Sequence, residues 1–190
     1  MEWMIVVTWL ARIILVLLVG MSVYAVSIIL ERKEFFKKNA LGGQHMDMLQ
    51  KVEKGEIEEI KSMLSPGKPF DAQVLMAFEN NSLDYIRSVS SLKFKSIEEG
   101  KASTLGTYGA TAPFIGLLGT VFGIIVAFGE LSSGKVDSNS IMYALAEALI
   151  LTAVGLVVAI PSVMSFNHYS KLLKHERERV SLLQSLIKNK

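Results

Sequence analysis

Residues 110–131 read ATAPFIGLLGTVFGIIVAFGEL and carry no charge before Glu130. At a rise of 1.5 Å per residue, a helix of about 20 residues crosses a hydrocarbon core of about 30 Å. Lipid offers no partner to backbone N–H and C=O groups, so such a stretch predicts a spanning helix that bonds itself internally. A second apolar run, Ile141 to Phe166, follows after only Ser132 to Ser140, and its single charge is Glu147. The two runs predict a helical hairpin across a membrane. A third run, Ile13 to Leu30, polar only at Ser22 and Ser27, predicts an earlier span.

Composition agrees with this reading. The chain has 190 residues, 51% of them hydrophobic, and they gather in three blocks with the charge between and after them. A soluble core would draw its apolar residues from short periodic segments throughout. A net charge of only +2 points to no nucleic-acid partner. The absence of cysteine excludes disulfides, thiolate metal sites and a cysteine nucleophile. His45, His168 and His175 show no metal-ligand spacing, so no metal or cofactor is expected. An intramembrane enzyme is disfavoured, because no histidine, cysteine or carboxylate pair falls within a span.

Residues 1–12 read as an interfacial lead-in, with Trp3 and Trp9 at headgroup level, Thr8 between them and Arg12 snorkelling outward. A cleaved leader is not expected. Glu2 is the one charge before Arg12, Arg12 interrupts the apolar run, and that run continues past the weak site Ser22-Val23-Tyr24-Ala25. Orientation follows from the basic residues. Arg32, Lys33, Lys37 and Lys38 follow the first span, and Lys171, Lys174, Arg177 and Arg179 follow the third. The hairpin turn has Lys135 alone and the lead-in Arg12 alone. The positive-inside rule therefore places 31–109 and 167–190 in the cytoplasm, and the N-terminus and turn outside. The predicted organisation is a lead-in 1–12, spans 13–30, 110–131 and 141–166, a cytoplasmic helical domain 31–109, an external turn 132–140 and a cytoplasmic tail 167–190.

The 31–109 segment balances twelve basic against twelve acidic residues. Leu41 to Gly43 and Ser65 to Pro69 act as breakers. Between and after them the pattern predicts a short helix over Glu56 to Leu64 and a longer one over Phe70 to Gly100. The longer one carries Val74, Leu75, Phe78, Ile86, Val89 and Leu92 on its apolar side. No strand alternation is present. In the tail, Leu173, Val180 and Ile187 recur every seven residues, supplemented by Leu172, Leu183 and Leu186, as expected of a helix continuous with the third span and packed on others.

Within the spans, small residues form stripes. Gly109, Ala112, Gly116, Gly119, Thr120, Gly123 and Ala127 line the second span; Ala144, Ala148, Thr152, Gly155 and Ala159 line the third. Burial against lipid tails gains little, so close approach along such stripes is what joins membrane helices. Gly116, Gly119, Gly123, Ala148 and Gly155 are thus the expected packing positions, turned inward or toward neighbouring copies. Pro113 and Pro161 each free a carbonyl and are expected kinks. Glu147 should face protein, water or another polar group, since a carboxylate facing lipid is costly. Thr120 and Thr152 place hydroxyls near the middle of two adjacent helices. Each can bond a carbonyl of its own helix, or hold a path for water or protons. Glu147 and Thr152, five residues apart, lie about 140° apart around a helix.

The run Ala112-Pro113-Phe114-Ile115-Gly116-Leu117-Leu118-Gly119-Thr120-Val121-Phe122-Gly123-Ile124 resembles the second-span signature of the ExbB/TolQ/MotA family. Ala146-Glu147-Ala148-Leu149-Ile150-Leu151-Thr152-Ala153-Val154-Gly155-Leu156, followed by Ala159-Ile160-Pro161, resembles its third-span signature. The likeness is strong over residues 100–166 and extends to the layout of the whole chain. One span before the cytoplasmic segment resembles the ExbB/TolQ branch, where the MotA branch has two. Phe122 departs from the tryptophan of many relatives but keeps an aromatic ring.

The resemblance implies an all-α membrane protein of the bacterial inner membrane, with three transmembrane helices extended by a cytoplasmic helical domain. It further implies a homopentamer around two helices of an ExbD/TolR-like partner, a proton-channel stator driven by the protonmotive force, and a TonB/TolA-like transducer beyond it. The proton-carrying aspartate then belongs to the partner, Thr120 and Thr152 line the route, and Glu147 sets electrostatics or a subunit contact. The competing expectation is a non-conducting scaffold that clamps a partner helix, in which both threonines serve packing alone.

Overall fold

The computed structural model describes residues 2–41, 43–79, 82–132 and 138–189. Among the described residues the chain is helical and has no strand, as its sequence predicts. The elements are α1 Glu2–Asn39, α2 His45–Lys54, α3 Ile57–Met63, α4 Pro69–Glu79, α5 Leu83–Glu99, α6 Lys101–Ser132 and α7 Ser138–Lys188. Three of them, α1, α6 and α7, are long and apolar enough to cross a membrane. Only 22–28% of their most apolar windows is buried. The remaining apolar surface therefore requires lipid or other protein around it.

The breaks follow local chemistry. Gly55 ends α2 at φ 80°, a left-handed conformation that L side chains resist. Pro69 opens α4, where its missing N–H leaves no bond unmade. The single helix expected over Phe70 to Gly100 is corrected to two, α4 and α5. Ser82 starts the second: its hydroxyl accepts a bond from the Tyr85 N–H at 3.3 Å, the role of an N-cap. The tail is one helix with the third span, as expected.

The chain divides into two compact units, Met1–Leu30 with Ser103–Phe166, and Glu31–Ala102 with Asn167–Lys190. The first contains the apolar segments of α1, α6 and α7. Its buried core comprises Ile14, Leu18, Ala112, Leu151, Val158 and Ala159, with Ala11, Met21, Ile115, Phe122 and Val154 packed against it.

The second unit is built around aromatic rings. Phe36 stacks on Tyr169 at 5.7 Å between centroids, and Phe70 stacks on Phe94, also at 5.7 Å. Leu173, Val180 and Ile187, the seven-residue repeat of the tail, are all buried, as is Leu183. On α5 the buried side is Ile86, Ser90 and Phe94, one residue every four. Leu92, expected on that side, is 66% exposed, because it lies two residues and about 200° from Ser90. Some buried polar groups here are bonded, while Arg32 Nε, His45 Nε2 and Gln73 Oε1 are buried without a hydrogen-bond partner among the described residues. The Gln184 amide donates to the Gln73 carbonyl at 2.7 Å and to Ser90 Oγ at 2.9 Å. Glu176 accepts from the Leu41 N–H at 2.9 Å and pairs with Arg179.

Candidate functional site in the membrane hairpin

Sequence places the small-residue stripes on α6 and α7, and the fold turns them against each other within one chain. A Cβ built on Gly116 would lie 2.7 Å from the Leu151 carbonyl oxygen and 3.1 Å from Thr152 Cα. On Gly155 it would lie 2.6 Å from the Ala112 carbonyl oxygen. On Gly119 it would meet Leu151 Cδ1 at 2.9 Å, and on Gly123 the Ala148 Cβ at 2.5 Å. The helix backbones thus approach to where a hydrogen is the only side chain that fits. The pairs Gly106–Phe166, Gly116–Gly155 and Gly123–Ala148 set an antiparallel register. Ile14 meets Gly119 and Tyr24 meets Tyr108, so α1 also runs antiparallel to α6 and hence parallel to α7. Both helices continue through their prolines, Pro113 in α6 and Pro161 in α7. Just beyond Pro161, Ser162 Oγ donates to the Val158 carbonyl at 2.7 Å.

The register brings Thr120 and Thr152 to one level, each beside the Gly119–Leu151 contact. Their hydroxyls differ. Thr120 is 6% exposed, and its Oγ1 donates to the Leu117 carbonyl of its own helix at 2.7 Å. Thr152 Oγ1 is covered by protein and has no hydrogen-bond partner. A covered hydroxyl without a partner forfeits a bond on the order of 1 kcal/mol or more. Among the described residues it is therefore a hydroxyl of the hairpin with an unmet hydrogen bond.

Glu147 is exposed and lines a cavity of about 120 Å³ between α1, α6 and α7. Its walls include Thr8, Arg12, Gly123, Ala144 and Ala148. Arg12, expected to snorkel outward, is exposed and also lines the cavity that Glu147 lines. The guanidinium carbon also lies 5.8 Å from the centre of the Trp9 ring. Nothing in the sequence analysis brought Arg12 together with Glu147. The available signal was depth, since both residues lie about the same distance into their helices. The proposed external residues Ser133 to Asp137, and the side chain of Trp3, lie outside the described residues. No cluster of metal-ligating side chains is present among the described residues.

Fold and site together define an all-α membrane protein whose second and third spans close into a glycine-packed hairpin with hydroxyls at mid-depth. The chain belongs to the MotA/TolQ/ExbB proton channel family, which matches residues 68–181, more than half of its length. It is 51% identical over 69 residues to a biopolymer transport protein ExbB of Xanthomonas campestris, covering 36% of this chain and 27% of that protein. To the ExbB-like protein 2 of Helicobacter pylori, described as a putative biopolymer transport protein, it is 46% identical over 68 residues, 35% of this chain and 45% of that one. The TolQ of the Tol-Pal system of Haemophilus influenzae is 45% identical over 73 residues, 38% of this chain and 32% of that protein. These relatives place it on the ExbB/TolQ branch. The matched segments span less than half the length of each relative.

Proposed function

We propose that this chain is the stator and proton-channel subunit of a protonmotive-force-driven motor of the bacterial inner membrane. It assembles with copies of itself, expected to be five, around an ExbD/TolR-like single-span partner and energises an envelope process, with a TonB/TolA-like transducer as the further partner. The N-terminus faces the periplasm and the C-terminus the cytoplasm. Thr120 and Thr152 contribute to the proton route; Glu147 sets its electrostatics or a subunit contact. The observation that carries the reading is the unpartnered Thr152 Oγ1, covered at mid-hairpin. A hydroxyl both donates and accepts, so it can hold a water chain or bond a partner's carboxyl group.

The second reading, a non-conducting scaffold that clamps a partner helix, draws support from Thr120, whose hydroxyl is already bonded within its own helix. Valine keeps the shape of threonine and removes its polarity, so it separates the two. Proton uptake is measured in liposomes holding the full chain with its partner. Thr152→Val should abolish partner-dependent flux with the oligomer intact by native mass spectrometry, and Glu147→Gln should cause a milder loss. Wild-type flux through assembled Thr120→Val and Thr152→Val variants would overturn the route and leave the scaffold.

A further inference from the structure

Among the described side chains of the first unit, Arg12 is the one cation, and the structure sets it on the cavity that Glu147 lines. Arg12 lies about 15 Å of helix rise into α1, and Glu147 about 14 Å into α7. The two helices run parallel, so the charges reach one depth from different spans. Ala11, Gly123, Ala144 and Ala148 leave the space between them, because none carries a side chain beyond Cβ. Arg12 and Glu147 make no direct ion pair among the described residues, and the cavity of about 120 Å³, mostly apolar in its walls but carrying Thr8 and both charges, has room for several waters. Each charge alone in a membrane helix is costly, and a water-bridged pair lowers that cost for both.

We propose that Arg12 is the counter-ion of Glu147, joined to it through water in this cavity, and that the pair tethers the first span to the third. The pairing stands apart from the conduction reading, since its tests need neither partner nor proton flux. Arg12→Gln leaves the carboxylate alone and Glu147→Gln leaves the guanidinium alone, whereas the double variant leaves neither. Thermal melting of the full chain in mild detergent should show each single variant lowered by about 5 °C, and the double variant no lower than either single. Arg12→Lys should keep most of the wild-type stability. Additive losses in the double variant would overturn the pairing.

Water in the cavity is tested separately on otherwise wild-type chain in membranes. A thiol reacts as its hydrated thiolate. Ala144→Cys should therefore react with a small charged methanethiosulfonate about ten-fold faster than Val157→Cys, which replaces an exposed apolar residue of α7. Equal rates would remove the water bridge and the proposal with it. This arm decides the question even where a charge-neutralised variant fails to accumulate.

Discussion

Gly116→Ala puts a methyl carbon 2.7 Å from the Leu151 carbonyl oxygen, 3.1 Å from Thr152 Cα and 3.3 Å from Gly155 Cα. Carbon contacts relax at about 3.5–4.0 Å, so α6 and α7 must part by roughly 0.5–1 Å along the tightest stretch of the hairpin. All three neighbours are backbone atoms, which cannot rotate aside. Overpacking of this kind costs about 1–3 kcal/mol, while alanine regains up to about 1 kcal/mol in helix preference. The net loss is about 1–2 kcal/mol, a five- to thirty-fold fall in the folded-to-unfolded ratio. Gly20 supplies the control: nothing lies within 4 Å of its Cβ position, so Gly20→Ala should be neutral or slightly stabilising. Both changes are read in a Leu151→Cys background, titrating the full chain with dodecyl sulfate in mixed micelles. The rate of thiol labelling reports opening of the α6–α7 contact. Equal midpoints for Gly116→Ala and Gly20→Ala would refute the close-approach argument.

Orientation is tested with single cysteines, which the cysteine-free chain permits without background. An impermeant thiol reagent on intact cells should label Lys135→Cys and spare His175→Cys; the reverse pattern inverts the topology. Burial, and after it the Arg179 charge, holds the His45 imidazole below its ordinary value against the opposing pull of Glu176. The unfolded chain therefore takes up the proton first, and the stabilisation present above pH of about 6.5 is lost as pH falls toward the folded value. Melting at pH 5.5 should be lower than at pH 7.5, with a smaller difference in His45→Gln; an unchanged difference counts against that site. Gln184→Ala removes the buried bonds to the Gln73 backbone carbonyl and the Ser90 hydroxyl and should cost about 1–3 kcal/mol. Circular dichroism during denaturation, with Ser185→Ala as a surface control, shows whether it does.

Long apolar runs, a hairpin linker too short for anything else, and glycine spacing made the membrane helices and their small-residue stripes legible in the residues themselves. These features depend on composition and period alone, because lipid demands an internally bonded backbone whatever the rest of the chain does. The buried heptad of Leu173, Val180 and Ile187 was legible for the same reason. The split between α4 and α5 was not. The apolar pattern runs across it, and only the Ser82 cap shows where the second helix begins. Pairing across helices was equally hidden. Thr120 and Thr152 look alike as residues, yet one hydroxyl is bonded in its own helix and the other is left without a partner. Arg12 read as a headgroup anchor by its place near the start of a span, and it is exposed, but it also lines the cavity that Glu147 lines. Its position beside Glu147 depends on the parallel register of α1 and α7, which arises from how three helices share one core, and no local spacing encodes that.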